Sequence, residues 1–451
     1  MLTYQLKKAP GVPLYEALYR CIRRDILDGV LAPGTQLPSK RTLAENLEIS
    51  KITVENAYNQ LLSEGFIRSR VKVGYFVEAV EGGLPHLQLP LPQEAPKQDT
   101  TLDLTGGGTE GFPFATWMKL QREVMLDLGE QLLLPLPNRG VEALRIAIAE
   151  HLAAFRGMRV DPGCILIGAG TDFLYNILIQ LLGREHIYGV EEPGYGKIRN
   201  IYAAGGVQVQ DVPMDSQGVR PDALGDVRVL HISPSHHFPT GLVTSVSRRL
   251  ELLSWAKEND GWIIEDDYDS EFRFDAHPMP AMQTLDRAGR VIYLNSFSKA
   301  LAPSIRISYM VLPRGLMDRF LQELGFYSCT VPSFEQHTLA RFISRGYFEK
   351  HINRMRKFYR NRRNRVISLL KGSSFAGRIT ILEQNAGLHF ILKVDTQLTD
   401  RELVARLEQA GVRIRALSDY YHTPIHRDLH CLVVNYTTLQ EDRLEGIIQS
   451  L

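Results

Sequence analysis

The chain has 451 residues, 44% of them hydrophobic and 23% charged, with a formal net charge of +1. This is a globular composition, and the length exceeds one ordinary core, so two or three domains are expected. Near-neutral charge hides any local basic patch, and no apolar run approaches the ~20 residues of a membrane helix.

Cys21, Cys164, Cys329 and Cys431 are scattered without C-x-x-C spacing. That argues against a disulfide framework or a metal site and fits a reduced interior. Residues 1–13 lack the apolar stretch of a signal peptide, so a cytoplasmic location is expected.

Residues 1–80 form the first expected unit. Leu14, Leu18, Cys21, Ile22, Ile26 and Leu27 make a helical stripe that ends near Gly29. Pro33-Gly34 is a turn. A second helix starts after Ser39 as N-cap, and a third starts after Ser50, with Val54, Ala57, Tyr58 and Leu61 facing inward. Gly65 stops it, and residues 66–77 alternate as a two-stranded wing. Short helices, a tight turn and a basic hairpin describe a winged helix-turn-helix. The third helix would enter the major groove by its N-terminal end, which carries Ser50, Lys51 and Thr53. Ser39, Lys40 and Arg41 would meet phosphates from the second helix, and Arg68, Arg70 and Lys72 from the wing. The bland alternative is a helical domain with a solvated basic edge. The basic residues, however, collect at the three places the motif needs them.

Residues 81–100 read as a linker made semi-extended by Pro85, Pro90, Pro92 and Pro96. From about 101, apolar strand runs alternate with helical stretches, as in an α/β fold with a largely parallel sheet. Gly168-Ala169-Gly170-Thr171-Asp172 turns from strand to helix with free backbone N–H groups, which suit a phosphate; tight packing is the alternative. Glu191-Glu192-Pro193-Gly194-Tyr195 ends another strand on an aromatic. Ser233 to Gly241 is a turn with His236 and His237 but no carboxylate or cysteine at ligand spacing, so no metal is expected.

Two further strand ends carry the chemistry. Ile263-Ile264-Glu265-Asp266-Asp267-Tyr268 closes on carboxylates and a phenol. Val291-Ile292-Tyr293-Leu294 leads to Ser296, Ser298, Lys299 and Arg306. A lysine there can form a Schiff base with a phosphorylated aldehyde, while hydroxyls and a guanidinium hold the phosphate. A carboxylate on a pyridinium nitrogen completes the needs of pyridoxal 5'-phosphate (PLP). Further on, Arg354, Arg356, Lys357, Arg360, Arg362, Arg363 and Arg365 crowd one long helix. A solvated face is the common reading of such a run, and a second DNA contact is the alternative. Residues from about 345 to 451 read as a smaller α+β lobe.

The run from Leu31 to Ile67 resembles the GntR-type DNA-binding domain, although Lys72-Val73-Gly74 keeps only the second glycine of the usual wing pattern. Residues 101–451 resemble fold type I aminotransferases, and the pairing resembles the MocR/GabR family of transcriptional regulators. The resemblance implies PLP, with Lys299 as the internal aldimine lysine, Asp266 on the pyridine nitrogen, Tyr268 on the ring oxygen and Tyr195 stacked on the ring. It places Gly170, Thr171, Ser296, Ser298 and Arg306 around the phosphate. Departures stand beside it. Asp172 follows Thr171 where a glutamine is common. Phe238 takes the place of an asparagine before Pro-Thr-Gly, leaving His236 or His237 to supply its polar contact. Val433 stands where aminotransferases carry a carboxylate-binding arginine, leaving Arg413, Arg415, Lys197 or Arg199 to substitute.

The expected function is therefore a PLP-dependent, DNA-binding regulator that senses an amino acid, an amine or PLP. It would work as a homodimer on an operator with two half-sites. The rivals are a working aminotransferase with an accessory head and a repressor whose larger domain has lost its cofactor.

Overall fold

The computed structural model describes residues 4, 13–70, 73–79, 102–105, 110–274, 279–383, 387–425 and 427–437. Lys72 and the linker at 81–100 lie outside them. The chain divides into Met1–Gln98 and Asp99–Leu451.

The first unit has helices Leu14–Leu27, Lys40–Asn46 and Lys51–Ser63. Ser39 and Ser50 cap the second and third, accepting the N–H of Thr42 and of Thr53, each at 3.1 Å. Each cap satisfies one of the donors a helix start leaves unpaired. Val54, Ala57, Tyr58 and Leu61 face the core with Leu18 and Ile22. Strands Ile67–Arg70 and Gly74–Val77 form the expected hairpin, and the short strand Gln36–Leu37 adds to its Gly74–Val77 edge.

The second unit is built on an eight-stranded sheet. In spatial order its strands are Ile165–Gly168, Ser308–Val311, Val291–Ser296, Trp262–Asp266, Val227–Ile232, Ile187–Glu192, Gln208–Asp215 and Gly218–Val219. Ser308–Val311 runs antiparallel to both neighbours, and the last pair is an antiparallel hairpin. The central strands read as continuous apolar runs because both faces of the sheet are covered. Val291, Ile292, Tyr293 and Leu294 are all buried, as are seven residues of the covering helix Thr171–Leu182.

Strand polarity gathers the functional loops. The segments after Gly168, Glu192, Ile232, Asp266 and Ser296 all leave the carboxyl edge of parallel strands, where ligands bind in open α/β sheets. Register ties the edge together: Gly168 pairs with Ser308, and Ser308 with Ser296.

The smaller lobe carries a four-stranded antiparallel sheet in the order Ile379–Leu382, His389–Val394, Cys431–Asn435 and Arg415–Ala416. Its helix Asp400–Gln409 opens on a capping box of Thr399 and Glu402.

The basic helix, Tyr347–Lys371, is more than a solvated face. Arg354 donates to the carbonyl of Gly111, Arg356 to that of Glu271, Arg360 to that of Phe274 and Arg362 to that of Thr437. Arg363 lies over the Phe274 ring. These guanidinium groups are committed to holding the chain's own loops, which removes most of the basis for a second DNA contact here. Among the described residues no helix is long and apolar enough to cross a membrane.

Replacing Ser50 with alanine removes a cap without touching the core. It should lower the stability of the first unit by about 1 kcal/mol, read as faster amide exchange across residues 51–63.

Candidate cofactor site and DNA-binding face

Lys299 sits on the single helical turn Phe297–Ala300, which Ser296 caps by accepting the Ser298 N–H at 3.2 Å. Its side chain keeps some exposure yet has protein packed around the ammonium, and that desolvation lowers the ammonium below its ordinary range, with Asp269 opposing. An amine more easily deprotonated is a better nucleophile toward an aldehyde.

Asp266 ends the neighbouring strand, buried. Its Oδ2 accepts the Tyr175 phenol at 2.6 Å and lies 3.5 Å from His231 Nε2, while Tyr202 holds the other face of that imidazole at 2.6 Å from Nδ1. Asp266 Oδ1 is buried without a partner. Asp267 Oδ1 and Glu271 Oε2 are also unpartnered. Asp267, however, has the Arg156 guanidinium at 3.0 Å. Burial, with Asp267 adding to it, pushes Glu271 up to about 8, which leaves it neutral near pH 7. Asp266 has the Tyr175 phenol and His231 on its other oxygen only, and a protonated pyridine nitrogen is the kind of donor its free oxygen requires. Tyr175, His231 and Tyr202 went unnoticed in the sequence because each stands inside an apolar run.

Tyr268 is half-buried, its hydroxyl 3.3 Å from His236 Nδ1, and the same nitrogen lies 2.8 Å from Asp269 Oδ2. Burial raises the Tyr268 phenol, and Asp269 adds to it. Of the two candidate histidines, His236 belongs to this cluster. His237 turns away: Nδ1 bonds Thr240 at 2.7 Å and Nε2 lies 3.5 Å from Glu191. Burial, with His236 adding to it, depresses His237 to about 3. Gly387 makes room for His236, since a Cβ there would stand 1.8 Å from the ring.

The phosphate elements also assemble. Gly170 provides no side-chain cap to helix Thr171–Leu182, so its first N–H groups lack a side-chain partner there. The Arg306 guanidinium lies over Gly170, where an added Cβ would come within 2.2 Å of Nη2. Arg306 itself holds a left-handed backbone, φ 50°, a conformation costing about 1–3 kcal/mol that persists only where surroundings enforce it. Ser296 and Ser298 hydroxyls are 3.0 Å apart. These residues fit the group the sequence implied.

Tyr195 is half exposed, edge-on to Phe238 at 5.8 Å between ring centroids, and Phe238 also meets Tyr420 at 5.2 Å. Behind Tyr195 a cavity of about 340 Å³ is lined by Lys197, Arg199, Arg415 and Tyr420 among others. Lys197 is bound to Asp172 at 2.8 Å and Arg199 to Asp211 at 3.0 Å. Arg413 bonds Asp103 on the strand pair Leu102–Asp103 with Val412–Arg413. Arg415, exposed like Lys197 and Arg413, is the one of the four that pairs directly across from Val433. Opposed residues share a sheet face, so Arg415 starts from the place where the strand arginine is missing.

On the first unit, Arg41, Lys51 and Arg70 are exposed, with Thr53 half-buried beside them. Ser39 and Ser50 stay exposed while serving as caps. Arg68 pairs with Glu78 at 3.1 Å. Lys40 differs from expectation: its ammonium is 2.7 Å from Glu55, lies over the Tyr75 ring and is largely covered. It braces the second helix on the third. The same helix start also presents Ile52, 69% exposed, and Asn56 one turn on, neither of which the basic pattern singles out. An apolar side chain standing in water at the leading end of this helix can meet a thymine methyl.

Comparison with known proteins agrees with both halves. The family model described as bacterial regulatory proteins, gntR family, matches residues 14–77, and that of aminotransferase class I and II matches residues 100–449. The Pyrococcus horikoshii kynurenine aminotransferase structure superposes with a TM-score of 0.67 at 25% identity, covering 78% of this chain and 92% of that one. The chain is thus of the class that joins a DNA-binding GntR head to an aminotransferase fold that typically binds PLP. Its relatives narrow this further. The uncharacterized HTH-type transcriptional regulator YdeL of Bacillus subtilis is 37% identical, over 94% of this chain and 93% of that protein. The probable rhizopine catabolism regulatory protein MocR of Rhizobium meliloti is 34% identical, over 93% and 90%. The pyridoxine biosynthesis regulator PdxR of Corynebacterium glutamicum is 32% identical, over 89% and 87%. The chain belongs to the MocR-type GntR transcriptional regulators.

Burial pushes Glu191 up to about 8, Asp266 adding to it and the Ser233 N–H opposing. Glu191 and Glu271 thus keep protons in the folded chain that they lose near 4.5 when unfolded. Below about 6.5 the buried histidines, His237 and His151 among them, oppose this by binding fewer protons folded than unfolded. From about 6.5 to 8, where those histidines are neutral in both states, stability should fall as pH rises, because the folded state holds the two carboxyl protons. Glu191→Gln should flatten the decline, measured as the melting temperature of the cofactor-free protein against pH.

Proposed function

We propose that this regulator binds PLP at the carboxyl edge of its large sheet, attached through Lys299, and that an amino acid, an amine or PLP itself is its effector. The observation that carries the reading is the unpartnered buried Oδ1 of Asp266, whose Oδ2 meets Tyr175 and His231, on the strand beside the one that leads to Lys299. When bound, the cofactor supplies an aldehyde and an electron-withdrawing ring. Lys299 provides the attaching amine, Asp266 a charge for the ring nitrogen, and Tyr268 and His236 a hydrogen-bonding pair for the ring oxygen. Tyr195 offers a face to stack on. Gly170, Thr171, Ser296, Ser298 and Arg306 receive the phosphate.

Arg415 is the residue we assign to an effector carboxylate, because Lys197, Arg199 and Arg413 are bound to acids of the chain itself. The effector acts only through unequal affinity for two arrangements of the protein. The small lobe is the element placed to respond, since His236 abuts Gly387 and Phe238 abuts Tyr420. Two relatives are named for rhizopine catabolism and pyridoxine biosynthesis, so neither name fixes the effector here.

A homodimer is part of the reading. Helix Phe114–Leu128 buries Trp117, Leu120 and Val124 on one side, yet exposes Phe114, Met118, Met125 and Leu126 on the other. A helix apolar on both sides asks for a second surface. Two heads would then read two half-sites.

The test follows the bound cofactor's absorbance and operator binding together, across an amino-acid panel. Wild type should respond in both. Lys299→Ala should lose cofactor retention through denaturation. Arg415→Ala should weaken the response to amino acids about tenfold or more, the scale of one charge-assisted contact, while sparing amines without a carboxylate. Operator binding that ignores every amine and PLP sinks the sensor, and steady-state turnover with an amino donor and a keto acid favours the aminotransferase. On the DNA side, Lys51→Ala should reduce the slope of log affinity against log salt by about 1, seen in a salt titration of operator binding.

A further inference from the structure

The phosphate cradle already contains an anion. Asp172 stands in the first turn of helix Thr171–Leu182, and its carboxylate lies 3.2 Å from Arg306 Nη2 and 2.8 Å from Lys197 Nζ. Burial works against the charged form, but Lys197 and Arg306 outweigh it and hold the carboxyl below its usual range. The carboxylate is therefore ionised at neutral pH. It draws on two attractions a phosphate would use there: the Arg306 guanidinium and the positive end of the helix.

We propose that Asp172 is a built-in competitor for the phosphate of PLP, and that Lys197 sets how strongly it competes. The inference rests on the PLP reading above and deepens it: it makes this site one whose cofactor occupancy follows supply, rather than one that keeps its cofactor. Arg306 is shared. With the site empty it neutralises Asp172. With a phosphate present it must divide its donors or release the carboxylate, which Lys197 then holds alone. A phosphate dianion beside an ionised carboxylate is repelled in addition. Lys197 therefore favours the cofactor from a distance, by drawing Asp172 away from the cradle. This gives the two residues opposite signs, which a purely structural role for either would not produce.

The experiment uses the full chain freed of cofactor and measures equilibrium binding of PLP and of unphosphorylated pyridoxal. Asp172→Asn should bind PLP roughly fivefold more tightly, the size of one partly exposed ion pair, and pyridoxal unchanged. Lys197→Met should bind PLP more weakly by roughly the same factor, again with pyridoxal unchanged. In the double variant the Lys197 effect should vanish, because there is no carboxylate left to restrain. Equal or weaker PLP binding by Asp172→Asn overturns the proposal, as does a parallel shift for pyridoxal, or a Lys197 effect that survives in the double variant. Failure of wild type and variants alike to bind PLP overturns this proposal together with the cofactor reading; normal PLP binding without the predicted differences overturns this proposal alone.

Discussion

Five carboxylates, Glu265, Asp266, Asp267, Asp269 and Glu271, are buried within seven residues at the end of one strand. Burying so much negative charge is unfavourable unless each group is paired, hydrogen-bonded or neutralised. The structure around the cleft can be read as the set of answers. Glu265 accepts the N–H groups of Met282 and Gln283 at 2.8 and 2.9 Å. Asp267 meets Arg156 at 3.0 Å and the Tyr293 phenol at 2.6 Å. Asp269 meets His236, and Glu271 keeps its proton. Asp266 is answered only in part: its Oδ1 stays buried without a partner, and that remaining demand is what the proposed cofactor site draws on.

The same logic separates residues that hold the fold from residues that serve the site. Arg156 sits on a helix of the large domain and reaches Asp267 and Ser235 in the dry interior. The cluster of His236, Tyr268 and Asp269 touches the small lobe at Gly387 and His389. Electrostatic requirements of one loop thus fix the positions of elements far apart in the chain.

What the sequence made legible was local or covalent in origin. The caps Ser39 and Ser50 announced their helices because a hydroxyl before a helical stripe has a short-range job. The placement of Lys299, Asp266 and Tyr268 at one sheet edge was legible because each follows an apolar run, and parallel strands deliver such ends to one edge. The partners of these groups were hidden. Tyr175 and His231 look like core residues until the sheet sets them beside Asp266. Lys40 looked like a phosphate ligand because nothing in the chain order reveals that Glu55, fifteen residues on, takes its charge. That Arg415, one of four candidates, lies opposite Val433 is visible only in the register. The basic helix is a further case: a charge run does not disclose that backbone carbonyls elsewhere accept from several of its arginines.

That helix, 25 residues and so about 37 Å long, bonds carbonyls at Gly111, Glu271, Phe274 and Thr437 along its length. Three stretches of chain that never meet in sequence are therefore pinned to a single stiff rod, one of them the loop with the buried acids and another the last described strand's exit. A rod transmits displacement rather than absorbing it. A tilt begun at the smaller lobe would reach the acid-bearing loop as a change in carbonyl position, which gives the helix the geometry of a tie-bar as well as a covering element.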